Sequence, residues 1–122
     1  MTAPTSKSAD LFLPLKPVVF HILLALAEQE SHGYGVIQTV RDRSGGRIKL
    51  ETGPFYRHLK KLMNGRLVVE SDRRPENDDS RRGAYYRLTS LGREVLTAET
   101  RRMAGLVSLT EELGLSLKKD AI

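Results

Sequence analysis

Arg57, Lys60 and Lys61 fall within one short stretch, Glu51 to Leu67, and their type and spacing suit one kind of chemistry. Cations gathered on one helix face make charge-assisted hydrogen bonds to phosphate or carboxylate oxygens. The same stretch places Phe55, Leu59, Leu62 and Met63 at helical spacing on roughly the opposite side. One face would anchor such a helix, and the other would present positive charge outward. A helix that lies in a DNA major groove needs both. A solvated surface helix would carry the same pattern, so the rest of the chain has to decide between the two. Thr52 suits an N-cap and Pro54 a first turn, while Asn64 and Gly65 tolerate left-handed backbone at the far end.

Other chemistry finds little support. There is no cysteine, which excludes disulfides, thiolate zinc sites and a cysteine nucleophile. The three histidines, His21, His32 and His58, have no close helical spacing for a metal site. His21 sits in an apolar segment and reads as a hydrogen-bonded core histidine. His32 reads as a turn residue and His58 as a solvated flank. No glycine-rich phosphate loop follows a strand, and no carboxylate pair stands in an apolar setting that would tune it for catalysis. An enzyme is therefore disfavoured, and no catalytic residue, metal or cofactor is expected.

Charge placement points toward polyanions. The chain of 122 residues carries a net charge of +5. Residues 41–87 hold 13 Lys and Arg against 7 Asp and Glu, and the remainder is close to neutral. A local basic region is the electrostatic footprint of phosphate binding. The opening MTAPTSKSAD lacks a signal-peptide layout. The apolar run Val18 to Ala27 is too short to span a bilayer. The cytoplasm and no membrane association are the expectation.

The elements that would position the cations follow in order. Residues 1–12 read as a flexible arm, with Ser8 capping a short turn toward Leu11 and Phe12. Leu13 to Glu30 reads as a helix that tolerates Pro17 in its first turn and is apolar nearly all round. His32-Gly33-Tyr34-Gly35 interrupts it. A second helix then runs to about Ser44 and stops at Gly45-Gly46. Arg47 to Leu50 alternates like a short strand, and the cationic helix comes next. Leu67 to Ser71 and Ala84 to Leu88 read as two strands of a hairpin, whose tip carries Arg73, Arg74, Arg81 and Arg82 around an acidic centre. Thr89 caps a last helix from about Ser90 to Leu113, which Gly114 stops. Leu91, Val95, Ala98, Leu106, Leu109 and Leu113 form one apolar stripe along it, and Leu96, Met103 and Val107 a second. A lone terminal helix cannot bury both on its own domain. The predicted class is mainly α with a small β-hairpin: a winged helix-turn-helix over 13–89, with a dimerisation helix and tail over 90–122.

These residues resemble the PadR family of bacterial transcriptional regulators, in its small form with one C-terminal helix. The resemblance runs from about Leu15 to Leu96. It is carried by His32-Gly33-Tyr34-Gly35, by Gly53-Pro54-Phe55-Tyr56 with Leu59 and Leu62, by Leu67-Val68, and most specifically by Arg82-Gly83-Ala84-Tyr85-Tyr86-Arg87-Leu88-Thr89-Ser90-Leu91-Gly92-Arg93. Three positions depart from the family pattern. Pro54 replaces a usual small hydroxyl residue, Met63 a usual Glu, and Arg66 a usual Gly.

The resemblance implies a homodimer that binds double-stranded DNA at an inverted-repeat operator and represses transcription until a small apolar or aromatic effector releases it. Arg57 and Lys61 would face the groove, with Lys60 beside them. Thr52, Tyr56 and Tyr34 would meet backbone phosphates, and the four tip arginines would serve the wing. Leu96, Met103, Leu106, Val107, Leu109 and Leu113 would meet the partner chain. Phe12, Phe20, Met103 and Val107 could line an effector space or be plain core. The alternative is a winged-helix protein-interaction module without sequence-specific DNA binding, which the acidic wing tip would suit.

Overall fold

Two prolines decide where the first long helix begins. In the computed structural model, which describes residues 7–72 and 83–115, helix α2 spans Pro17–Glu28 and Pro17 occupies its first turn. Leu13 to Lys16 were expected to be helical and are not. Leu13 and Lys16 each precede a proline, a position that disfavours the helical region, and Lys16 is extended at φ −65° and ψ 144°. The segment becomes a strap laid over the domain. Ahead of it, within the stretch read as an arm, Lys7–Asp10 form a helical turn, α1. Ala9 in that turn is fully buried and the turn packs on the last helix.

Ile22, Leu23, Ala25 and Leu26 are the buried face of α2. Helix α3, Gly33–Arg43, buries Val36, Ile37 and Val40 against it. The α3 N-terminus is closed by His32, whose Nδ1 accepts a hydrogen bond from the Gly35 N–H at 3.0 Å. Helix α4, Thr52–Asn64, buries Phe55, Leu59 and Leu62. Strands β2 (Val68–Ser71) and β3 (Tyr85–Leu88) pair antiparallel, with Val68 opposite Leu88 and Ser71 opposite Tyr85. The expected strand over Arg47 to Leu50 is absent. Ile48 is half-buried and Leu50 buried, so the alternation is real, but the outer edge of β3 pairs with Ser31–His32, strand β1. The sheet order is β1-β3-β2.

The fold is thus mainly helical with a small three-stranded antiparallel sheet, the winged-helix class that the residue pattern predicts. The hairpin tip, with Arg73, Arg74, Arg81 and Arg82, lies outside the described residues, as do residues 1–6 and 116–122.

Helix α5, Ser90–Glu112, is locked to the domain at its start. The Thr89 Oγ1 accepts from the Gly92 N–H at 3.0 Å and lies 2.6 Å from the Arg66 carbonyl, to which it donates. A Cβ at Gly92 would overlap the Leu67 carbonyl oxygen and stand 3.1 Å from Leu88 Cδ2, so only glycine lets α5 pass the Leu67 backbone and β3 this closely. Further along, Glu99 is 1% exposed. Its carboxylate accepts from the Leu15 backbone N–H at 2.8 Å and from Arg102 Nε and Nη2 at 2.5 and 3.1 Å. A buried charge needs such partners. The Arg102 hydrogen bond holds the Glu99 carboxyl below the usual carboxylate range; desolvation opposes the shift, and the Leu15 N–H assists it. Glu99 therefore ties the strap to α5.

Candidate nucleic-acid interface

Helix α4 owes its orientation to three anchors. Phe55 is fully buried at the centre of the core, with Leu59 and Leu62 below it. At the N-terminal end, Tyr56 lies over the start of α3. A Cβ at Gly33 would come within 2.6 Å of the Tyr56 hydroxyl, so glycine there makes room for the tyrosine. At the C-terminal end the chain leaves through a Schellman motif: the Leu67 N–H donates to Leu62 O at 2.9 Å and the Arg66 N–H to Met63 O at 3.0 Å. The left-handed residue this motif requires is Arg66, at φ 62°, and not Asn64 or Gly65 as expected. Gly65 stays right-handed at φ −81°. Arg66 is the position where the family pattern usually has glycine, which explains why that glycine suits relatives.

The outward face of α4 carries Arg57, Lys60 and Lys61, all exposed. Thr52 is exposed too, but it is the first helical residue and not the cap. Glu51 holds the N-cap position and makes no side-chain hydrogen bond there. Tyr56 is half packed and 46% exposed, its ring edge-on to Phe55 at 4.9 Å. Tyr34, at the first turn of α3, is 64% exposed. Its ring stacks parallel to His32 and its hydroxyl accepts from Gln38 Nε2 at 3.0 Å. The two tyrosines stand near one another through Gly33, so the α3 start and α4 form one continuous surface. The four wing arginines cannot be placed on it.

Lys16, to which the sequence reading gave no role, and His58, which it read as a solvated flank but which is half-buried, join this surface. Lys16 at the end of the strap and His58 on the α4 flank line one cleft of about 300 Å³ together with Lys61, over an apolar floor that includes Phe12, Leu15 and Leu62. Partial burial lowers the His58 pKa, and the Lys16, Lys61 and Arg57 charges lower it further. Spacing along α4 could have flagged His58 beside Lys61. Nothing local could have flagged Lys16, which arrives only because the strap folds back. The remaining histidine, His21, meets Phe20 edge-on at 6.0 Å, and its buried Nδ1 has no hydrogen-bond partner among the described residues, contrary to expectation.

The residues read as a dimer surface divide in two. Leu96 is half-buried against the core of its own chain and Met103 is half-buried. Leu106, Val107, Leu109 and Leu113 are exposed. Among the described residues, no group of three or more acidic or histidine side chains could hold a metal ion. None of the described helices is long and apolar enough to cross a membrane.

Comparison with known proteins agrees with this architecture. A sequence profile of the transcriptional regulator PadR-like family matches residues 22–98. No curated protein sequence matches significantly. Among solved structures, a PadR family transcription regulator from Clostridium difficile R20291 superposes with a TM-score of 0.66 at 21% identity, covering 80% of this chain and 98% of that one. The smu.1704 protein from Streptococcus mutans UA159 gives 0.63 at 21% identity, over 98% and 100% of the two chains. The zinc-responsive MarR family member ZitR from Lactococcus lactis gives 0.61 at 21% identity, over 99% and 72%. These likenesses show a shared fold, and the profile match, which takes in α3, α4, the hairpin strands and the start of α5, identifies the lineage. The chain belongs to the PadR-like family of transcriptional regulators.

Proposed function

We propose that the protein is a homodimeric, sequence-specific DNA-binding repressor. The observation that carries this reading is α4, which buries Phe55, Leu59 and Leu62 and turns Arg57, Lys60 and Lys61 outward in a PadR-like chain. Arg57 and Lys61 read base edges from the major groove, with Lys60 at the margin. Thr52, Tyr34 and Tyr56 position the protein through phosphates, and the wing arginines Arg73, Arg74, Arg81 and Arg82 add affinity. Leu106, Val107, Leu109 and Leu113 are covered by a second copy, with Met103 and Leu96 at the near end of that contact. A two-fold dimer places two α4 helices for an inverted repeat. A small apolar or aromatic molecule seated between helices releases the DNA. The protein acts in the cytoplasm.

The test is a salt-titrated binding assay on DNA from upstream of the protein's own gene, with light scattering for mass. A dimer that prefers this fragment over random DNA, with a steep salt dependence, supports the reading. Neutralising Arg57 together with Lys61 should weaken specific binding by several kcal/mol, about 1–3 for each base contact, without unfolding the protein. Unchanged affinity in that double variant sinks the groove assignment. A monomer indifferent to duplex DNA favours a protein-interaction module.

A further inference from the structure

The sequence places Lys16 far from α4, yet the fold sets it beside His58 and Lys61 at the rim of one cleft. Arg57, one residue earlier on α4, also acts electrostatically on His58. The charged groups that face His58 are therefore Lys16 from the strap and Arg57 and Lys61 from its own helix. The strap otherwise offers Pro14 and Leu15 to this cleft, the turn before it Phe12, α2 Val19, α4 Leu62 and the approach to β2 Leu67, none of them charged. Among these neighbours there is no carboxylate. Three cations and a histidine held together repel one another in the free protein, and the lowered His58 pKa reflects partial burial first and that repulsion second. An arrangement of this kind gains most from a dianionic or polyanionic ligand that lies along the ridge.

We propose that Lys16 and His58, beside the base-reading Arg57 and Lys61, form a phosphate-contacting ridge that holds the DNA backbone alongside α4, and that His58 takes up a proton when a phosphate settles against it. This rests on the DNA-binding reading and adds two contacts and a pH dependence to it. The sign follows from the neighbours. A phosphate beside His58 favours the imidazolium, so the bound pKa exceeds the free one. DNA affinity then rises as the pH falls through the bound value, and it levels off below the free value. Each unit between the two values corresponds to about a tenfold change in affinity.

The experiment uses the full chain and a random-sequence duplex at low salt, since phosphate contact is independent of sequence. The His58 ring proton is titrated by NMR in free protein, with the duplex, and with inorganic phosphate at matched ionic strength. The His58→Gln variant identifies the signal. The expected result is a His58 pKa that rises with duplex and not with inorganic phosphate. Affinity should depend less on pH in His58→Gln. Lys16→Gln should lower the log–log salt slope by about 0.9 and raise the His58 pKa in the free protein. A rise with inorganic phosphate alone assigns the ridge to a free anion and overturns the DNA contact. Duplex binding with unchanged salt slope in Lys16→Gln and unchanged pH dependence in His58→Gln overturns the ridge and leaves the DNA reading standing. Wild-type protein that binds no duplex at all overturns both.

Discussion

The two halves of α5 have similar apolar content and opposite surroundings. The first half buries Gly92, Val95, Ala98 and Glu99, while in the second half Leu106 and Leu109 stand exposed, as does Leu113 at the C-cap. The difference lies in what each half can reach. The first half passes the Leu67 backbone where Gly92 permits contact and is held by Thr89 and by the Glu99 link to the strap. In the second half Leu106 is left 48% and Leu109 55% exposed, so the described residues of the chain cover these leucines only in part. An apolar stripe in a sequence states a need for cover without saying whether the cover comes from the same chain.

Several variants would sharpen or break that contrast. Gly92→Ala forces a methyl group into the Leu67 carbonyl and should cost about 3 kcal/mol, near the upper end for overpacking. Chemical denaturation measures it, and a near-neutral result would show that α5 can lift off the Leu67 backbone cheaply. Leu106→Glu with Leu109→Glu should leave the folding of a monomer intact and weaken self-association by at least about 2 kcal/mol, the threshold of an interface hot spot. Light scattering against concentration reads it. A large loss of secondary structure instead would mean that these leucines serve the chain's own fold.

Glu99→Gln should cost about 1–2 kcal/mol through the loss of its charge-assisted bonds. Because the folded Glu99 carboxyl titrates below its ordinary range, its contribution is complete above that range. It disappears as the pH falls through the folded value. The stability gap between wild type and variant should therefore close in acid, which thermal melts at neutral and acid pH would show. The smallest effect is expected at Arg66. Replacing this residue by glycine removes a left-handed side chain at φ 62° and should stabilise by about 1 kcal/mol.

Legibility was uneven for physical reasons. The faces of α4, the hairpin strands, the Thr89 cap and the Gly114 stop follow from periodicity and from single-residue conformational preference. Those are local properties, and they hold in the fold. The N-cap at Glu51 and the left-handed turn at Arg66 were misplaced by one residue or two, because the better-suited Thr52 and Gly65 stand next to them. At the C-terminal end tertiary contact bears on the register: Gly65 lies against Phe12, just ahead of the strap, where a Cβ would meet the ring at 3.0 Å. The strand expected at Arg47 to Leu50 was lost to Ser31–His32, since a β3 edge accepts only one neighbour and the local pattern cannot say which.

By itself the sequence determined the order of the long helices and the hairpin, the core faces of α3 and α4 and the family, because these rest on spacing and residue type. Only the tertiary structure decided that residues 13–16 are a strap, that Glu99 is its anchor and that Lys16 stands beside His58. Each of these joins residues distant in the chain, and no local preference encodes a contact whose partner arrives from elsewhere.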